Sequence, residues 1–230
     1  MLGLGNTLSK IGLVTPGIVT SNLVLKHKYD AGDVVPVSDG AAYFDGTDDY
    51  IAITEVTDDV DGANFSYIFW AKRNATDAIH CFLGHDASGS KHIRFTASGT
   101  IAFESNSAAD IATGTLATND TNWHHYAIIV SGGNGTVSMY QDGVSISVAN
   151  PDLGDNFTYT YIGKQDGNFF NGYVCNAGIW SAVLTQAQIK SIMWKNYAGL
   201  TSSETTNLVS WWNLSADAND SHGSNNGTLS

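Results

Sequence analysis

Ala41-Ala42-Tyr43-Phe44-Asp45-Gly46-Thr47-Asp48-Asp49-Tyr50-Ile51-Ala52-Ile53 reads as strand, polar turn, strand. A short apolar stretch meets a Gly/Asp hinge, and Tyr50, Ile51 and Ile53 then resume the apolar pattern. Glycine supplies turn dihedrals that other residues avoid, and aspartate bonds the backbone of its own turn. The same grammar recurs along the chain. Candidate strands fall at 23–29, 41–45, 50–55, 65–72, 79–84, 91–96, 99–105, 123–131, 136–141, 144–148, 158–164 and 173–181, with Gly89, Gly99, Gly114, Gly132-Gly133, Gly143 and Gly154 punctuating the turns. Short strands at such spacing signal an antiparallel sandwich or barrel. Phe65-Ser66-Tyr67-Ile68-Phe69-Trp70-Ala71 is apolar on both faces, so it belongs inside the assembly rather than on an edge.

One helix is signalled, over 185–197. Thr185 is placed as N-cap with Gln188 completing a capping box, and Leu184 with Ile189 fits a hydrophobic staple. Ile189, Ile192, Met193 and Tyr197 share one face.

Composition bounds the function. The chain has 230 residues, a length normal for one all-β sandwich, with 24 Gly and only 14% charged residues. Its formal charge is −12, with Arg73 and Arg94 the only arginines. Phosphate neutralisation needs a basic face, so nucleic acid is excluded as a partner, and an anionic membrane surface would repel the chain. No segment approaches the ~18 apolar residues of a membrane span. Met1-Leu2-Gly3-Leu4-Gly5 has no basic head and no unbroken apolar core, so no secretory signal is read there. Cys81 and Cys175 lie in apolar stretches and read as two buried thiols, with a disulfide as the alternative.

Three regions are expected. Residues 1–22 form an extended N-terminal arm, either a solvated terminus or one that orders on a neighbouring subunit; residues 23–200 form the sandwich. Residues 201–230 hold a C-terminal strand, 208–214, and a turn-rich tail. That strand is either the opening of a second copy or a closing strand beside the first.

Five segments in order carry a family resemblance: Tyr43-Phe44-Asp45-Gly46; Phe65-Ser66-Tyr67-Ile68-Phe69-Trp70; Trp123-His124-His125-Tyr126-Ala127-Ile128; Met139-Tyr140-Gln141-Asp142-Gly143; and Phe170-Asn171-Gly172-Tyr173-Val174 running on to Ile179-Trp180-Ser181-Ala182-Val183-Leu184-Thr185. They resemble the laminin-G-like, or concanavalin A-like, lectin/glucanase domains, and the last is similar to the pentraxin version. The resemblance implies an all-β fold, a two-sheet antiparallel jelly-roll sandwich with one short C-terminal helix. Ala41–Ile53 following Val34-Val35-Pro36-Val37 also looks like tail and virion proteins of marine bacteriophages.

The expected function is therefore non-enzymatic surface contact. One reading is a phage virion component, whether capsid decoration, tail-associated protein or fibre module. Its partners would be other virion proteins or copies of itself, and it would assemble in the host cytoplasm. The alternative is a carbohydrate-binding lectin module at a cell surface, with glycans as partners.

Retaining glycosidases of this fold draw paired carboxylates from a Glu-x-Asp-x-Glu strand. None of Glu55, Glu104 and Glu204 has an acidic residue two positions away. His124 and His125 are adjacent on a strand, point to opposite faces and cannot share a ligand. The pentraxin resemblance implies calcium at Gln165 and Asp166. Two departures stand against it: Lys164 precedes them, and Ser88-Gly89-Ser90-Lys91 replaces the partner acidic loop. Asp58-Asp59-x-Asp61-Gly62 is a second acidic cluster that an Asx turn also explains. Phe169, Phe170, Trp211 and Trp212 are the ligand-platform candidates, with core packing or contact with the helix as the competing reading; of the adjacent tryptophans one should face inward and one outward.

Overall fold

The computed structural model describes residues 38–58, 64–85, 91–104, 111–132, 136–150 and 157–230. The arm at 1–22, the candidate strand 23–29 and most of the acidic cluster at 58–62 lie outside them. Two antiparallel sheets dominate. The seven-stranded sheet runs Ala42–Asp45, Asn171–Trp180, Phe65–Arg73, His124–Ser131, Thr136–Gln141, Val144–Ile146, and Leu208–Trp212 also pairs with Asn171–Trp180. The eight-stranded sheet runs Val148–Ala149, Ile111–Thr115, Thr100–Glu104, Lys91–Phe95, His80–His85, Phe157–Ile162, Ile51–Asp58, Gly227–Leu229.

The core between the sheets is aromatic. Tyr67, Phe69, Phe82, Phe95, Phe103, Tyr126, Tyr159 and Phe170 are all buried there, and Phe69 stacks on Phe82 with ring centroids 3.6 Å apart. Period-two alternation sends these side chains inward and their neighbours outward. Cys81 and Cys175 are buried thiols not joined in a disulfide, one in each sheet.

The helix covers the outer face of the seven-stranded sheet. Thr185 caps it, and the capping box with Gln188 is formed as expected. Leu184, Ile189 and Ile192 bury against Ile68, Ala127, Ile129, Trp180, Leu208 and Trp211. It spans Gln186–Ile192 and is shorter than the 185–197 expected. The carbonyl of Met193 instead accepts the Trp70 indole N–H at 2.7 Å, and a separate turn of 3-10 helix follows at Tyr197–Gly199.

The C-terminal segment closes the sandwich beside its first strand. Ala42–Asp45 pairs with the first half of Asn171–Trp180 and Leu208–Trp212 with the second. Asp220 holds the return: its carboxylate accepts the backbone N–H of Trp211, His222, Gly223 and Asn225. Gly227–Leu229 then completes the second sheet on Ile51–Asp58. Three further elements were not read from the sequence: Ile111–Thr115, Gly227–Leu229, and a small hairpin of Lys164–Gln165 with Asn168–Phe169.

Candidate functional site

The helix covers only part of the outer face of the seven-stranded sheet, and the uncovered part carries a row of aromatic side chains. Cross-strand register builds it. Tyr43 pairs with Tyr173, and Tyr173 pairs with Lys72. Ala71 pairs with His124, so the same ladder extended by one residue sets Lys72 opposite Trp123. Directly paired residues point to the same face of a sheet. Four positions in a row span ~14 Å at the usual strand spacing. The rings are in contact, Tyr43 with Tyr173 at 5.0 Å between centroids and Tyr173 with Trp123 at 6.2 Å. Tyr43 is 52% exposed and Tyr173 36%, and Trp123 is half-buried.

A polar row runs beside the aromatic one. Asp45 is paired with Asn171, whose side-chain carbonyl accepts the Asn74 carboxamide N–H at 2.7 Å. On the other side lie Ala41, Cys175 and Trp70, packed under Met193. Gly172 brings the strands close at this point. Its φ is +141°, and a Cβ there would collide with the Lys72 carbonyl oxygen. The arrangement offers flat apolar rings flanked by hydrogen-bonding carboxamides and a carboxylate.

None of the four platform residues expected from the sequence lies in this row. Trp211 and Trp212 point to opposite faces of their strand as expected, and both are buried, in keeping with core packing and helix contact rather than an exposed platform. Trp212 points between the sheets, and Trp211 points into the layer under the helix. Phe170 is in the core as well. Phe169 is half-buried in the small hairpin.

Among the described residues, no acidic cluster forms around Gln165 and Asp166. Gln165 is buried, in the space left by the missing side chain of Gly84, and its amide donates to Asp166 Oδ2 at 2.5 Å. Asp166 is exposed at the hairpin tip with φ 49°. Calcium takes six to eight oxygen ligands, so Gln165 and Asp166 would need further oxygens from elsewhere. The facing residues 88–90 lie outside the described ones. Among the described residues, Asp45, Asp48 and Asp49 bring three carboxylates within 4.8 Å. Their oxygens already organise the turn, accepting from Thr47 N, Asp48 N and Asp45 N.

The histidines are structural in geometry. The ring nitrogens of His124 face Asp142 Oδ2 at 2.6 Å and Asp120 Oδ1 at 2.9 Å. Burial opposes its charge, but the two carboxylates outweigh this and raise its pKa. His125 lies on the opposite face, buried against Trp70 with neither nitrogen hydrogen-bonded. Burial lowers the pKa of His80 to about 4, and of His92 and His125 to about 3 each. Glu104 is also buried, 3.2 Å from His92 and 3.9 Å from Arg94.

The pH dependence of folding follows from these shifts. His80, His92 and His125 are neutral when folded and take up protons on unfolding below the ordinary value of about 6.5. Their share of the stability is complete above about pH 6.5 and declines as pH falls toward their folded values. His124 runs the other way: its stabilisation is complete below about 6.5 and is lost as pH rises through its raised folded pKa. Urea midpoints should therefore fall from about pH 7 to about pH 5, with a weaker fall in His125→Leu. His124→Gln should lack the decline above neutrality.

Residues 45–190 match the model of the Concanavalin A-like lectin/glucanases superfamily, in its Laminin_G_3 family. The chain belongs to this family. Among curated proteins no sequence matches it. Among solved structures it is similar to a protein of Bacteroides ovatus ATCC 8483 provisionally named as carbohydrate binding, with a TM-score of 0.61 and 17% identity; the match covers 80% of this chain and 56% of that one. It is also similar to the heptameric SAP-like pentraxin of Limulus polyphemus, with a TM-score of 0.53 and 16% identity, over 70% of this chain and 84% of that one. The chain thus spans little more than half the length of the first of these. Among the described residues, no helix is long and apolar enough to cross a membrane.

Proposed function

We propose that this concanavalin A-like domain is a non-enzymatic binding module that recognises carbohydrate on the face bearing Tyr43, Tyr173 and Trp123. The carrying observation is the exposed aromatic row set in register across the sheet. Sugar rings have apolar C–H faces that stack on flat aromatic rings, and hydroxyl groups at their edges that need hydrogen-bond partners. Rigid aromatic side chains supply contact area at low entropic cost, and Asn74, Asn171 and Asp45 stand at the edge of the row to meet hydroxyls. Adjacent exposed rings of this extent are a marked surface feature.

The glutamates support a binding role over hydrolysis. Glu104 is buried beside His92 and Arg94. Glu204 is held well below its usual pKa, at about 2; burial opposes this, but bonds from Lys195, Thr201 and Ser191 outweigh it. The virion role expected from the sequence rests on the resemblance of Ala41–Ile53 after Val34-Val35-Pro36-Val37, with residues 1–22 as the candidate assembly arm, and is a second proposal for where such a module is mounted.

A glycan array probed with the full chain tests the reading. Binding to a related set of saccharides, lost in Tyr43→Ala/Tyr173→Ala, is the expected result. Binding that survives the double variant would overturn the assignment of the face.

A further inference from the structure

Lys72 is the non-aromatic member of the row, and its setting points to the charge of the ligand. It sits between Tyr173 and Trp123, whose backbones are about 10 Å apart across two strand spacings. Their ring centroids are only 6.2 Å apart, so the two rings lean toward each other across the strand that carries Lys72. The Lys72 stem is half-buried, as long aliphatic stems are when they lie along apolar surface.

Among the described residues the ammonium has no partner. Lys72 makes no ion pair, side-chain hydrogen bond or cation–π contact with any of them. Four other described cations are engaged, whereas Lys190, also without a partner among the described residues, is exposed on the helix rather than half-buried beside aromatic rings. Lys164 lies over Tyr50 and Tyr161, Lys195 bonds Glu204, Arg73 bonds Asn119 and Arg94 approaches Glu104. The chain has 22 acidic side chains to 10 basic ones, yet none of the described acids neutralises this lysine. Asp45, in the neighbouring polar row, spends one oxygen on the Thr47 and Asp48 amides of its own turn. An ammonium with no counter-charge among the described residues gains from an anion brought to it.

We infer that the ligand of this face is an acidic polysaccharide containing uronic acid units, with a sugar carboxylate placed on Lys72 between rings stacked on Tyr173 and Trp123. The inference rests on the carbohydrate reading above. A uronate keeps the flat pyranose face for stacking and carries its carboxylate at the ring edge, where a lysine set among aromatic rings can reach it. The row is longer than one sugar ring, which favours an internal stretch of such a chain over a terminal acidic sugar.

The test compares free-acid oligogalacturonate and oligomannuronate with their methyl esters, which keep ring and linkage and lose the charge. Titrations use the full chain, Lys72→Met and Tyr173→Ala. At least one free acid should bind the wild type about tenfold more tightly than its ester, the size of one charge-assisted hydrogen bond. The preference should shrink with added salt and vanish in Lys72→Met, which keeps the stem. Equal binding of acid and ester, or no binding of either acid, would overturn the uronate inference while leaving the aromatic face intact for neutral glycans. Acid binding that Lys72→Met abolishes and Tyr173→Ala leaves unchanged would instead overturn the stacking role of the row.

Discussion

Trp212→Ala should lower the stability of the domain by about 3–5 kcal/mol, the range for removing a buried tryptophan. The indole is 1% exposed in the core between the sheets, and its N–H donates to the Asn225 carbonyl at 2.9 Å. The truncation would open a large cavity and leave that carbonyl unpaired. Trp211→Ala should cost a similar amount for a different reason. Its ring lies edge-on to Trp180 at 5.9 Å, under the helix, so its loss undermines the helix layer. Single domains have only about 5–15 kcal/mol in total, so either variant should be visibly compromised in urea unfolding. Trp194→Ala is the internal comparison: that ring is 48% exposed, and its loss should change the midpoint far less. A Trp212→Ala protein as stable as Trp194→Ala would mean that the C-terminal strand is not part of the core.

Tyr173→Ala should weaken glycan binding by about 30-fold, the effect of an aromatic hot spot worth ~2 kcal/mol. Tyr173 stands in the middle of the row and touches both Tyr43 and Trp123, so its removal breaks the platform in two. Tyr43→Ala removes an end and should cost less. Both side chains are too exposed for their loss to unfold the protein, so the midpoint should shift by about 1 kcal/mol at most. Affinity and stability then separate, in the opposite sense to Trp212→Ala.

Much of the architecture was legible in local pattern. Apolar runs between Gly and Asp turns gave most of the strands, and the five ordered segments gave the family. Thr185 and Gln188 gave the start of the helix because capping is a short-range interaction. Its end was not legible: whether Met193 continues the helix depends on Trp70, far away in the chain, taking its carbonyl.

The aromatic site was hidden for a similar reason. Tyr43, Trp123 and Tyr173 are distant in sequence and meet only through the register of non-consecutive strands. Each did carry a local trace, since Tyr43 alternates with the buried Phe44 and Tyr173 with the buried Val174. For Trp211-Trp212 alternation assigned the two faces correctly but could not give their coverage. Trp211 does point outward from its sheet, and the helix layer buries it there. Phe170 was misplaced in the same way: an Asn/Gly-rich neighbourhood suggested an exposed loop, whereas its ring packs edge-on to Phe44 and His80.

The most direct test of the carbohydrate-binding face is to map amide and indole chemical shifts while titrating a glycan selected on the array. Shifts should concentrate at Tyr43, Lys72, Trp123 and Tyr173 and leave the hairpin residues Gln165, Asp166 and Phe169 unmoved. Shifts confined to that hairpin, with the aromatic row unaffected, would contradict the assignment.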